Sequence, residues 1–547
     1  MFERGVPSSA SRRSFLAGAA TSVLLTSDGT ASSRRVVLVG VKALWTTGSI
    51  AAGANRLSVA SARGFSVGDS LIVELGGETS GGLPGSPGVG GVWPQLAYPD
   101  EAAMAADTGQ PTGTYGYLAD TGTVYRWNAP GVGARWFNDP TLYYWNKAVP
   151  LALRAQITGI AGNVLTLSAA AAVTSANAKV HFDNALVFNA AARDLANDTA
   201  LVWAAGEFAC GEVLKLSNRT GVTVAGAGRK RTTLFSPRGV ISLGMAVSSC
   251  TRTEVCDLTL AGNAYLDRGW GLDLRFAAQS SQPQSNYTLD FTSSKSCIAR
   301  DLTITHPWLG VGAHNSEHCE FRRLLVTTDG LHRYVSWMIN WVNSTDCWSY
   351  DCEVRSRYLT AGFECFASNR CGHIRPTGVN AVFALNSAGS CVLDNPRVTV
   401  TARSQMSALS FSKMDSMINI NTNIPQNKGV SGNAILNAVL IQKGYINADN
   451  DTLRGITVSG ASFDTVIAGG SYAAPDYAAP STLNGPQAVV ANDHKSRNTM
   501  VSNFTASGVT ANVYNPNIHV VDGKVSRCKA PRIGCAAPKC AADGVAA

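Results

Sequence analysis

Between residues 249 and 398, apolar and polar positions alternate in short runs, and the runs recur. The segments SSKSCIARDLTI from Ser293, NSEHCEFRRLLV from Asn315 and NSTDCWSYDCEV from Asn343 write one phrase three times. ASNRCGHIRPTG from Ala367 and NSAGSCVLDNPRV from Asn386 write it more loosely, and SCTRTEVCDLTL from Ser249 is an earlier copy. Their anchoring cysteines, Cys297, Cys319, Cys347, Cys371 and Cys391, are 22, 28, 24 and 20 residues apart. Apolar residues within a copy fall two apart, as in Leu302/Ile304 and Leu324/Val326, which is strand periodicity. A strand-bearing repeat of this length predicts a solenoid whose coils bury their inner faces by stacking. The Leu-x-x-Leu-x-Leu signature of leucine-rich repeats is absent, so the expected fold is an all-β, right-handed parallel β-helix. Asn and Ser make the turns, and Cys opens the next inward face.

The repeat also predicts which residues share an outward column. Seven residues before each cysteine stand Asp290, Gly312, Asn340 and Glu364; five before stand Thr292, His314, Val342 and Phe366. The interleaved positions hold Leu289, Val311, Ile339 and Phe363, then Phe291, Ala313, Trp341 and Cys365, an inward set. Two polar turns, TTDGLHRY (Thr327 to Tyr334) and VRSRYLTAG (Val354 to Gly362), feed the same sheet. The expected site therefore gathers Asp329, His332, Arg355, Arg357, Tyr358 and Glu364 as chemistry-bearing residues. His314, Arg333, Asn340 and Asp290 are expected to bind beside them. Such a density of ionisable groups is notable in a chain of which only 15% is charged.

Upstream of the repeat, NDTALVWAAGEFACGEVLKLSNRTGVTVAGAGRKRTTL (Asn197 to Leu234) resembles the opening of pectate-lyase-superfamily β-helices. Those open with a capping helix, an Asp-Thr pair, a strand, a turn (here Ala205-Gly206) and a Gly-rich coil (here Gly221 to Gly228). The resemblance implies the fold over about residues 186–510. It implies no single chemistry, because the superfamily includes lyases, hydrolases, epimerases and tailspikes.

Three functions follow as expectations. A β-eliminating lyase would neutralise a uronate carboxylate with arginine and take the C5 proton with His332, Tyr358 or an arginine. A hydrolase would use Glu364 and Asp329 as acid and base. Asp290 and Glu364, three coils apart at about 14 Å, are too distant for a paired-carboxylate glycosidase. A non-catalytic glycan-binding or tailspike-like solenoid is the third. The basic balance, +8 overall, and the Arg/His content favour the lyase. No cofactor is expected; calcium is left open, without an acidic ligand cluster to indicate it. The expected partner is a polysaccharide, with no nucleic acid and no membrane once a leader is removed. The oligomeric state is open, a trimer included.

The remaining segments complete the organisation. SRRSFLAGAATSVLL (Ser11 to Leu25) resembles a twin-arginine export signal, its apolar run too short to span a bilayer. This places the signal at 1–31 and the mature protein in the periplasm or outside the cell. Residues 32–185 predict a small β-rich domain. Its aromatics, among them Trp93, Tyr117, Trp127 and Trp136, serve either as a core or as a glycan-binding surface. Residues 511–547 form a tail with Cys528, Cys535 and Cys540, which allow one disulfide.

Overall fold

The computed structural model describes most of residues 34–398 with their side chains, and beyond them the backbone of strands reaching to residue 542. Residues 1–33, 263–286, 329–337, 401–415, 422–437 and 474–489, with other stretches, lie outside the described residues. The expected signal segment falls there, as do Asp329, His332 and Arg333.

The repeat folds as the right-handed parallel β-helix that its periodicity predicts. A nine-stranded parallel sheet runs from Arg34–Val37 through Glu254–Cys256, Ile298–Arg300, Glu320–Arg322 and Trp348–Tyr350 to Val392–Asp394. A 22-stranded sheet wraps the two other faces. On one of them lie Thr303–Thr305 and Leu325–Thr328. The other, the site face, carries Met245–Ser248, Tyr287–Thr292, Leu309–His314 and Ile339–Val342. The long strand Glu353–Phe366 crosses a corner and serves both. Parallel pairing continues past residue 510, to Cys540–Ala542.

Each coil turns at corners held by single left-handed residues. Ser293, Asn315 and Asn343 have φ near +50°; so do Ser296, His318 and Asp346, and Asp301, Arg323 and Asp351. Asn and Asp adopt this conformation at little cost, which explains their recurrence in the phrase. Just past the first corner a serine ladder runs inside the solenoid. The N–H of Ser294 donates to Ser316 Oγ (3.0 Å), that of Ser316 to Ser344 Oγ (3.3 Å), and that of Ser344 to Ser368 Oγ (3.1 Å). Three residues on, Cys297, Cys319, Cys347 and Cys371 stack fully buried, and all ten described cysteines are free thiols. A thiol suits this column because it is small, apolar and a weak donor to carbonyls within reach.

On the outside, arginines bind aspartates one coil back. Arg323 grips Asp301 at 2.8 and 2.6 Å, Arg370 grips Asp346 at 2.7 and 2.6 Å, and Arg375 grips Asp351 at 2.6 and 2.8 Å. These pairs are half exposed, so each is a register marker more than a source of stability. Arg375→Ala is expected to leave the urea midpoint nearly unchanged, and about 0.5 M salt should largely erase whatever small shift remains. A large, salt-resistant drop in the midpoint would show that the corner pairs hold the stack.

Residues 45–182 contain a closed six-stranded barrel, Trp45–Ile50, Arg56–Val59, Ser70–Val73, Leu153–Ala161, Val164–Leu167 and Ser175–Phe182, with its own core around Leu57, Leu71, Leu165 and Val180. In the inserted segment Trp127 is buried at 3% exposure, a core role for that aromatic. The helix Asn184–Arg193 then caps the first coil. Its N-cap, Asp183, accepts from the N–H of Ala185 (3.1 Å) and of Gly211 (2.9 Å) and pairs with Arg154 of the barrel (3.1 Å). Phe188 stacks on Trp203 at 5.7 Å, closing the apolar end of the solenoid against water.

Candidate functional site

The site face carries the columns that the cysteine count predicts. Asp290 pairs in register with Gly312, Gly312 with Asn340, and Asn340 with Glu364; Thr292, His314, Val342 and Phe366 form the neighbouring column. Leu289, Phe291, Val311, Trp341 and Phe363 point inward and are fully buried.

The sequence pattern implies an open groove of outward side chains. The structure instead covers them: Asp290 is 7% exposed, and His314, Asn340 and Glu364 are each 3%. Part of the cover is Tyr287, a residue the column count missed. It starts its strand at the corner and lays its ring across Gly312. A Cβ on Gly312 would stand 2.8 Å from Tyr287 Cε1 and 3.0 Å from His314 Cε1. The ring meets His314 edge-on, centroids 4.8 Å apart. The glycine between two polar residues in one column was the available signal, since it marks room for a neighbour's ring.

Three contacts organise the cluster. His314 Nδ1 lies 2.6 Å from Asp290 Oδ1, and Thr292 Oγ1 donates to Asp290 Oδ2 at 2.8 Å. Asn340 Nδ2 donates to the Tyr287 hydroxyl at 3.0 Å. The carboxylate holds the imidazole proton on Nδ1 and leaves Nε2 as the basic nitrogen. Burial pushes the Tyr287 phenol well above its ordinary value; the hydrogen bond from Asn340 opposes this, and the charges of Asp290 and Glu364 add to it. Tyr287 is therefore a neutral phenol, a proton donor rather than a resident base. Asn340 Oδ1 is buried with no hydrogen-bond partner.

The other expected residues are placed differently. Arg355 stands on the adjacent face, in register with Thr327 and Val379, and its guanidinium holds Glu353 at 2.6 and 3.1 Å. It belongs to an exposed ion pair, and a corner separates its strand segment from that of Glu364. The backbone of Arg357 and Tyr358 lies in that corner. Arg355 opposes Val379 and Thr360 opposes Ala381, so residues 356–359 face Asn380 alone. This extension runs directly into the Glu364 segment; the side chains of Arg357 and Tyr358 are outside the description. Among the described residues no group of three His, Cys, Asp or Glu side chains could hold a metal ion.

No family model and no curated protein matches the chain. Similar solved structures include the catalytic domain of a GH87 alpha-1,3-glucanase in complex with tetrasaccharides, at 12% identity over 92% of this chain and 90% of that one, with a TM-score of 0.46. The surface adhesin PfbA of Streptococcus pneumoniae is 10% identical over 63% of this chain and 85% of that one, TM-score 0.42. The A-module of the Azotobacter vinelandii mannuronan C-5 epimerase AlgE6 is 12% identical over 62% and 95%, TM-score 0.34. At this distance no residue's role is taken from them.

Proposed function

We propose that the protein is an exported polysaccharide-degrading enzyme that cleaves a uronate polymer by β-elimination on the site face. The observation that carries this reading is the pairing of a buried neutral phenol, Tyr287, with a carboxylate-held imidazole, His314, across Gly312. Elimination needs a base on one side of the sugar and an acid at the leaving oxygen. His314 Nε2 takes the C5 proton, the electron pair closes the C4=C5 bond, the C4–O bond breaks, and Tyr287 protonates the departing oxygen. Asp290 stabilises the imidazolium, and Asn340 holds the phenol in place. Arg357 and Arg333 are the groups assigned to the uronate carboxylate, because a planar guanidinium matches a carboxylate in a two-point contact. A paired-carboxylate hydrolysis by Asp290 and Glu364 is disfavoured by three strand spacings, about 14 Å.

The test is a panel of polygalacturonate, alginate, glucuronan and neutral glucans, followed by absorbance near 235 nm and by reducing ends. Both signals rising on a uronate polymer is the expected result. Reducing ends alone would establish a hydrolase, and neither signal, with glycan bound, an adhesin.

Gly312 supplies a second check. Gly312→Ala places a methyl against the Tyr287 and His314 rings, and both must shift. Misplacement on that scale is expected to lower kcat about 10- to 100-fold with a smaller change in KM. Unchanged kinetics would mean that the Tyr287 pose has no part in turnover.

A further inference from the structure

Phe366 is the one exposed large apolar side chain among the described residues of the solenoid strands, at 39% exposure. The others, Trp45, Val67, Ile160 and Leu186, belong to the barrel and the capping helix. Other outward positions of the solenoid strands, among them Ile298, Leu325, Trp348 and Tyr350, also carry large side chains, but these are partly covered, so Phe366 stands out by its exposure. Its location is specific. It stands two residues beyond Glu364 on the same strand and face, about 7 Å along, and pairs in register with Val342. One coil back is Asn340, whose Oδ1 is buried and meets no donor. A buried polar atom without a partner is rare enough to call for a reason.

We infer that Phe366 and Asn340 together form a sugar-binding subsite beside the reacting centre. A pyranose has an apolar C–H face and a rim of hydroxyls. The face stacks on Phe366, and a hydroxyl reaches Asn340 Oδ1. A hydroxyl both donates and accepts, so it satisfies the amide in either orientation. The occupant is a pyranose unit of the polymer, flanking the residue that undergoes chemistry. A purely apolar occupant such as an acyl chain would satisfy the ring and leave the amide unpaired. The inference rests on the reading of this face as a polysaccharide site, and it makes Phe366 a specificity-determining residue with no part in proton transfer.

The experiment separates the two readings by measuring binding without turnover. Tyr287→Phe, Tyr287→Phe/Phe366→Ala and Tyr287→Phe/Phe366→Trp are run by affinity electrophoresis in gels containing each polymer of the panel. Phe366→Ala is expected to weaken retention about tenfold, with Phe366→Trp within about twofold of the parent. In the catalytically intact protein, Phe366→Ala should raise KM about tenfold and leave kcat within about twofold. Glycan bound through Phe366 without turnover keeps the subsite and rejects the lyase. Turnover with Phe366→Ala equal to wild type keeps the lyase and rejects the subsite. Loss in both Phe366→Ala and Phe366→Trp, or a change in oligomeric state without a change in retention, overturns the subsite as well. A protein that binds no polymer overturns both.

Discussion

Tyr287→Phe is expected to lower kcat about 1000-fold while the protein stays folded. The substitution deletes one oxygen. The ring keeps its place over Gly312 and its edge against His314, so the cover of the site survives. What disappears is the proton that the leaving oxygen requires, and a positioned acid is worth about 10² to 10⁴ in rate. Stability should drop by only about 1 to 2 kcal/mol, since Asn340 loses the partner of its Nδ2. The pH profile sharpens the assignment. Burial and the nearby carboxylates raise the phenol, so no alkaline limb from Tyr287 is expected below pH 10. Initial rates at 235 nm from pH 5 to 10, with thermal melts of both proteins, measure all of this. If Tyr287→Phe stays within tenfold of wild type, the phenol is not the acid and the elimination scheme falls.

That cluster shows what a repeat reveals and what it hides. Parallel stacking preserves phase from coil to coil, so counting back from an inward cysteine finds the same column each time. Asp290, Gly312, Asn340 and Glu364 do pair in succession. The count fixes which way a residue faces, and says nothing of what lies over it. Asp290, His314, Asn340 and Glu364 read as groove residues and are buried, in part because Tyr287, in register with Leu309, lays its ring over the next coil's column, which a count of facing does not reveal. Arg355 illustrates a second limit. Its side chain pairs with Glu353, two residues away on the same face of its own strand, a local contact that competes with any longer reach. Corner extensions such as 356–359 change coil length without changing the phrase, and they escape an alignment made on the phrase. The N-terminal barrel strands were legible as alternation around turns; their closure into a barrel depends on partners far apart in sequence.

Lowering the pH from 7 to 4 is expected to destabilise the fold by several kcal/mol through a single interior residue, His373. It lies inside the solenoid behind Glu364, between Trp341 and Phe363, fully buried. Ser349 Oγ stands 2.7 Å from its Nδ1 and Cys365 Sγ 3.6 Å from its Nε2. Burial drives its pKa down to about 3, against a weaker opposing hydrogen bond to the backbone of Glu364. The unfolded chain therefore binds a proton near pH 6.5 that the folded chain refuses until about pH 3. Stability is full above the unfolded value and is lost as pH falls through that window, by about 1.4 kcal/mol per unit, on the order of 4 kcal/mol in all. The carboxylate of Asp301, held down to about 2 chiefly by its hydrogen bond from Arg323, loses its contribution only below its ordinary value of 3.8 and so adds almost nothing between pH 7 and 4. The paired variant Ser349→Ala/His373→Phe removes the titrating group and its partner together and keeps the space filled. Urea melts between pH 7 and 4 should show its stability falling by about one proton's slope less than that of wild type. Equal slopes would mean that His373 is protonated in the folded protein. Because that imidazole also touches the backbone of Glu364, acid should disturb the site face before the coils separate.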